Sequence, residues 1–365
     1  MERPILAAML SVAGTKLSDN EKRILERANP LGITIFGRNI ENKRQLQNLT
    51  KEMKTVIGRD DVLIAIDQEG GRIRRLAEPE FRAYAAQAEL GLIEAKFGAP
   101  TAEKTIRSHA ALISEDLYET GINLNYAPVL DIVYPETSPV LKSRCFGSDE
   151  KKTASYGSMM IDEYQKAGIC PCIKHMPGHG RAAVDPHLSL PVLNFSLNDL
   201  QKDFYPFIQN RHAAAGMTAH ILLPEIDDKL PVTQSFKAID QLIRGIIGFD
   251  GFLISDSIDM HALKGTPAEK SNLSLDAGCD AVCYCMGNEK DLFELAETKR
   301  FLTDKSMIRF AKIKNIIKNG VRNNECEKMV SDYQQVIGKI EKYDDNYDAT
   351  EILHKMKEVK EQGEN

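Results

Sequence analysis

Short, continuous apolar runs alternate along the chain with longer segments of helical period. The runs are PILAAMLSV (4–12), GITIFG (32–37), VLIAID (62–67), INLNYAPVLD (122–131), ICPCIKH (169–175), AGMTAHILL (215–223), GFLISDS (251–257) and DAVCYCM (280–286). Between them, ENKRQLQNLTKEMKTVI (41–57) places Leu46, Leu49, Met53 and Ile57 on one helical face. TAEKTIRSHAALISEDLYETG (101–121) reads as a helix opened by Thr101 and ended by Gly121. Runs that are apolar throughout fit strands buried on both faces, as in a parallel sheet covered by helices. Eight such units over roughly 290 residues predict an α/β fold, a (β/α)8 TIM-type barrel. A doubly wound open sheet is the alternative; no GxGxxG follows the first run, which counts against its dinucleotide-binding form.

The pattern changes near residue 300. KRFLTDKSMIRFAKIKNIIKNG reads as a basic amphipathic helix that closes the barrel. Residues 326–365 are highly charged with sparse apolar positions, as expected of one or two peripheral helices and a frayed end. The expected organisation is one catalytic domain over 1–325 with a charged helical C-terminal tail over 326–365.

Composition narrows the function classes. Of 365 residues, 42% are hydrophobic and 27% charged, and the net charge of −6 has no basic concentration that would suit nucleic acid. The seven cysteines lie mostly inside apolar runs such as GICPCI and AVCYCM, and no CxxC pairs them as metal ligands. They read as reduced, buried small hydrophobes in a cytoplasmic protein. The apolar stretch in MERPILAAMLSVAG is short for a secretory segment, and no run approaches the ~20 residues that would span a membrane.

A barrel of this type carries its chemistry at the C-terminal ends of its strands. Unusual polar residues stand at those ends: Asp67-Gln68-Glu69-Gly70-Gly71 after run three, Asp131 and then Arg144 after run four, Lys174-His175 at the end of run five, His220 near the end of run six, and Ser255-Asp256 in run seven. Asp256 is either a nucleophile or part of an N-cap to the helical-looking IDMHALKG. The loop KHMPGHGRAAVDPH (174–187) lacks any regular period. Within it, Asp185 and His187 form either a carboxylate-oriented imidazole for acid/base work or an Asp-Pro turn beside an incidental histidine. Lys174 and His175 would donate hydrogen bonds to an oxygen-rich ligand, and Asp67 would accept two from a polyol. Arg72, Arg74 and Arg75 read as a solvated or salt-bridged helix start. A zinc site from His175, His179 and His187 is the rival reading, but its spacing matches no standard motif and no cysteine or acid accompanies it. PGHG lacks the ending of a phosphate loop.

Taken together and in order, IDQEGGRIRRL, NYAPVLD, SRCFGSD, KHMPGHG, DPHLSLP, MTAHILLP and GFDGFLISDSIDM resemble the signature blocks of glycoside hydrolase family 3. Within it they resemble the single-domain bacterial β-N-acetylglucosaminidases of peptidoglycan recycling. The resemblance runs from about residue 5 to 290. It implies a retaining two-step mechanism with Asp256 as nucleophile and His187, backed by Asp185, as acid/base. It implies Asp67, Arg144, Lys174 and His175 as sugar-binding residues, with no metal and no cofactor. The implied substrate is a muropeptide or other GlcNAc-containing saccharide, and the implied protein is a monomer that needs neither nucleic acid nor membrane. A β-glucosidase, a glycoside phosphorylase or a non-catalytic sugar-binding protein on the same barrel are the alternatives. The chain departs from the family in two places, with Ser255-Asp256-Ser257 where SDD is frequent and Asp185-Pro186-His187 where DSH is frequent. Pro186 is expected to stiffen the loop.

Overall fold

The computed structural model describes residues 3–184, 186, 188–321 and 326–343. Eight parallel strands close into a barrel in chain order: β1 (Leu6–Leu10), β2 (Pro30–Ile35), β3 (Leu63–Ile66), β4 (Leu124–Asn125), β5 (Cys170–Met176), β6 (Ala215–Thr218), β7 (Phe252–Ser257) and β8 (Ala281–Cys283). Each expected apolar run supplies one strand, and closure through β1 and β8 rules out the open sheet.

The longer helices that follow the strands are α1 (Asp19–Ala28), α2 (Lys43–Ile57), α3 (Ala99–Glu119), α4 (Glu150–Lys166), α5 (Gln201–Gln209), α6 (Ala238–Ile246, of π type), α7 (Pro267–Ala277) and α8 (Glu289–Glu297). Two more helices follow the barrel, α9 (Asp304–Asn319) and α10 (Cys326–Ile337). Helix α3 begins earlier than the sequence suggested. Gly98 is its N-cap, Pro100 stands in its first turn, and Thr101 lies inside it.

Alternate strand residues divide between two packing layers. Ile33, Ile35, Ile64 and Ile66 join the apolar faces of α1, α2 and α3. Met9, Leu31, Leu63, Ala65, Leu124, Tyr126, Cys172, Ala215, Phe252, Ile254 and Cys283 form a separate cluster with Phe310 and Ile313 of α9. The small cysteines on the strands fit this crowded interior; all six whose side chains are described are buried and free. Filling from within leaves the C-terminal ends of the strands as the place for polar chemistry.

Strand β4 is shorter than its apolar run. Its pairing continues past Asn125 through hydrogen bonds from Cys172 to Ala127 and from Leu130 to Lys174, which carries the chain to a fully buried Asp131. Of the C-terminal tail, α10 packs Tyr333 and Ile337, with Ile340 beyond it, into the core cluster that includes α3. Residues 344–365 of that tail lie outside the described residues.

Candidate active site

One cavity opens at the C-terminal ends of the strands. Asp67, Arg75, Arg144, Lys174, His175, His179 and Asp256 line its polar part, and Tyr126, Met217 and Cys283 rise into it from the barrel interior. Its centre is an ion cluster in which Lys174 and Glu69 are buried while Asp67 and Arg144 keep some exposure to the cavity. The Lys174 ammonium, 2% exposed, lies 2.6 Å from Glu69 and 2.8 Å from Asp67. Arg144 donates two bonds to the Glu69 carboxylate, at 2.8 and 2.9 Å, the forked geometry that suits a guanidinium. Arg75 approaches the other oxygen of Asp67 at 3.7 Å. Burial alone would raise the pKa of Glu69, but Arg144 and Lys174 outweigh it and hold the carboxyl well below the usual range. Burial likewise opposes the charge on Lys174, and Asp67 and Glu69 outweigh it, raising that pKa.

His175 is fixed from both sides. Its Nδ1 lies 2.6 Å from Asp131 and its Nε2 lies 3.3 Å from Arg144. A guanidinium only donates, so Nε2 accepts and Nδ1 carries the proton toward Asp131. Burial would raise Asp131, but His175 and His179 beside it hold its pKa below the ordinary value. Both ring nitrogens of His175 are thus engaged by protein groups, and His187, the third residue of the zinc reading, lies outside the described residues. Among the described residues, no group of three His, Cys, Asp or Glu is placed to hold a metal ion.

Asp256 stands at the end of β7, half-buried. Its N–H lies 3.4 Å from the Thr218 hydroxyl, which is 2.8 Å from Thr233; Thr233 is 2.8 Å from Nδ1 of His220, and Nε2 of His220 is 2.9 Å from the Ser257 carbonyl. A carbonyl only accepts, so His220 donates from Nε2 and accepts at Nδ1. The circuit returns to the peptide segment where it started. Burial lowers the pKa of His220, in keeping with a neutral ring. The N-cap alternative for Asp256 does not survive. Residues 258–263 form turns rather than a helix, and α7 starts at Pro267 with Thr266 as its own cap. Asp259 is bound to the Ser257 hydroxyl at 2.6 Å and to the Cys285 N–H at 2.8 Å.

Residues 5–359 match the glycosyl hydrolase family 3 N-terminal domain. The chain belongs to glycosyl hydrolase family 3. As a member it is a glycoside hydrolase. It is 35% identical over 291 residues to the beta-hexosaminidase of Neisseria meningitidis serogroup C, covering 78% of this chain and 79% of that one. It is 32% identical over 290 residues to the beta-hexosaminidase of Bordetella avium, covering 78% and 81%. The fold superposes on the crystal structure of NagZ from Neisseria gonorrhoeae in complex with N-trifluoroacetyl-D-glucosamine, with a TM-score of 0.81 and 31% identity, covering 92% of this chain and 98% of that one.

The family 3 barrel thus brings five expected site residues, Asp67, Arg144, Lys174, His175 and Asp256, into one cavity. Asp185 and His187 lie outside the described residues. Pro186 between them is buried, lines the cavity and accepts a hydrogen bond from Ala262 at 3.2 Å.

Arg75 corrects an expectation. RIRRL does not start a helix; Gly70 pairs with Ile73, and the Gln68 side chain accepts from the N–H groups of Arg75 and Leu76 at 2.8 and 3.0 Å. Those bonds fix a turn that carries Arg75 inward, 6% exposed, so the helix start and the solvated face are wrong while the salt-bridged alternative holds through Asp67. Glu69 and Asp131 stand among the polar residues at strand ends and His179 in the rival zinc reading, but no pattern in the sequence assigns any of them a part in the sugar site. The signal for Glu69 was an acid immediately before two glycines at a strand end. Gly70 adopts φ 102°, and a Cβ there would collide with the Ala85 carbonyl.

Proposed function

We propose that this chain is a retaining exo-β-N-acetylglucosaminidase that removes the non-reducing terminal GlcNAc from 1,6-anhydromuramyl peptidoglycan fragments in the cytoplasm. The observation that carries the reading is the placement of Asp256 in the same cavity as the Asp67–Lys174–Glu69–Arg144 cluster. The relatives named beta-hexosaminidase and the gonococcal NagZ complex with an N-acylglucosamine support the substrate class. A cavity floored by Tyr126, Met217 and Cys283 suits a terminal sugar better than a chain passing through. Six buried, free cysteines accord with a reducing compartment, and no described helix is long and apolar enough to cross a membrane.

In this reading Asp67 accepts from ring hydroxyls, Lys174 and His175 hold the sugar beside it, and Arg144 reaches a hydroxyl or the N-acetyl group. The Asp256 carboxylate attacks the anomeric carbon as its bond to the leaving oxygen breaks. His187, as imidazolium, gives that oxygen a proton. The neutral imidazole then takes a proton from water, whose oxygen attacks the anomeric carbon and frees Asp256. Two inversions retain the β-configuration, and His187 ends protonated as it began. Asp185 orients the ring and stabilises its charge. This differs from the usual pair of carboxylates. An imidazole can give and take a proton near neutrality, which serves both steps. The placement of Pro186 at the cavity supports the assignment of its two neighbours.

The test is release of 4-nitrophenol from the β-N-acetylglucosaminide beside the β-glucoside, with and without inorganic phosphate, using wild type and Asp256→Ala. Release of free GlcNAc from the first substrate alone, unaffected by phosphate and lost in Asp256→Ala, supports the proposal. Preference for the glucoside moves the substrate. Formation of a sugar phosphate turns the reaction into phosphorolysis. A folded wild type that binds GlcNAc and hydrolyses neither substrate leaves a sugar-binding protein.

A further inference from the structure

We propose that helix α10 supports the sugar clamp: Tyr333, acting through His109, positions the turn that carries Glu69, so Tyr333 and His109 are positioning residues. The inference rests on the reading of Glu69, Arg144 and Lys174 as the clamp. The Tyr333 ring is buried with those of Tyr84 and His109, at centroid separations of 6.5 and 5.8 Å. Its hydroxyl lies 2.9 Å from the Ala85 nitrogen and 2.9 Å from Nδ1 of His109. On the far side of the His109 ring, Nε2 lies 3.3 Å from the Glu69 carbonyl.

The proton order along this path is determined. The Ala85 N–H only donates and the Glu69 carbonyl only accepts. His109 therefore donates from Nε2 and accepts at Nδ1, from the Tyr333 hydroxyl. Burial pushes the His109 pKa down to about 4, so the ring is neutral throughout the working range.

The turn has little freedom apart from this support. The Gly71 N–H is bound to the Tyr84 carbonyl at 2.9 Å, and Gly70 packs so closely on Ala85 that no side chain fits. The segment 84–86 and His109 are both held by Tyr333, and both seat the turn. At the other end of Glu69, the carboxylate orients Arg144 and Lys174 together. Helix α10 is itself anchored by burial of Ile337, with Ile340 beyond it, and by Lys104–Asp332 at 2.6 Å. That exposed ion pair adds little compared with the apolar burial.

The test compares wild type with Tyr333→Phe, which keeps the ring and removes the hydroxyl, and with Ile337→Val, which trims packing on the same helix without touching the path. Two readings are taken. The first is hydrogen exchange of the amides in 68–76 in the sugar-free protein. The second is kcat, KM and GlcNAc inhibition with the 4-nitrophenyl β-N-acetylglucosaminide. Tyr333→Phe is expected to speed exchange in the turn and to raise KM and the GlcNAc inhibition constant about three- to tenfold, the scale of one lost hydrogen bond, with kcat within about twofold. Ile337→Val is expected to leave both readings at wild-type values while lowering the melting temperature. Unchanged exchange and unchanged KM in Tyr333→Phe overturn the proposal, as does an equal effect from Ile337→Val. A wild type inactive on the β-N-acetylglucosaminide strikes the proposed function, while the exchange measurement still decides the positioning role.

Discussion

Replacing Glu69 by Gln removes the negative charge at the centre of the clamp and keeps its shape. In the native protein, Lys174, Arg144 and Arg75 face two carboxylates, Asp67 and Glu69. Glu69 accepts from Arg144 at 2.8 and 2.9 Å and from Lys174 at 2.6 Å while 1% exposed. After substitution the same cations share Asp67 alone. Breaking a buried pair from one side costs about 3–5 kcal/mol, and the amide oxygen still accepts one bond, so the lower end applies, about 3 kcal/mol. Guanidinium unfolding of wild type and Glu69→Gln measures it. The pH dependence supplies a second handle. The folded-state pKa of Glu69 is depressed, so its contribution is complete above the unfolded value of about 4.3 and is lost as pH falls toward the folded one. The stability gap between wild type and variant should be constant from neutrality down to about pH 5, then shrink by up to ~1.4 kcal/mol per pH unit in more acid solution. Equal stability at pH 7, or a gap that widens on acidification, would refute the role given to Glu69.

Three further outcomes are expected. Asp256→Ala should lower kcat/KM by more than about a thousandfold with the fold intact by circular dichroism; a loss within tenfold would remove it from the nucleophile's role. His187→Ala should slow turnover by about a hundred- to ten-thousandfold and flatten the limb of the pH–rate profile that its acid/base group sets, and an unchanged profile would count against the acid/base assignment. His220→Leu leaves the Ser257 carbonyl without its donor and breaks the circuit under Asp256, so kcat should fall about tenfold or more at nearly constant KM; wild-type kcat would show that the brace is dispensable.

Strand positions were legible because parallel strands buried on both faces leave continuous apolar runs that polar solvent-facing positions would have interrupted. The start of α3 was misread at Thr101, although Pro100, with Gly98 ahead of it, offered the better signal. Asp67, Arg144, Lys174, His175 and Asp256 stood out as polar residues interrupting or following apolar runs, where burial is costly without a task or partner. The parts played by Arg75 and Glu69 were not legible, because they come from pairing across the barrel mouth. The direction of Arg75 is set by Gln68 and a non-helical turn, and Glu69 meets Arg144 75 residues further along the chain. The link from Tyr333 to His109 spans 224 residues, a separation at which local pattern carries no information.

The most direct test of the central claim is to trap the covalent intermediate. The wild-type enzyme would be treated with a 5-fluoro glycosyl fluoride of GlcNAc, digested and analysed by mass spectrometry. The account predicts one sugar ester, on the peptide that contains Asp256. A sugar ester on Asp259, Asp67 or any other side chain, or inactivation that leaves no sugar ester, would contradict it.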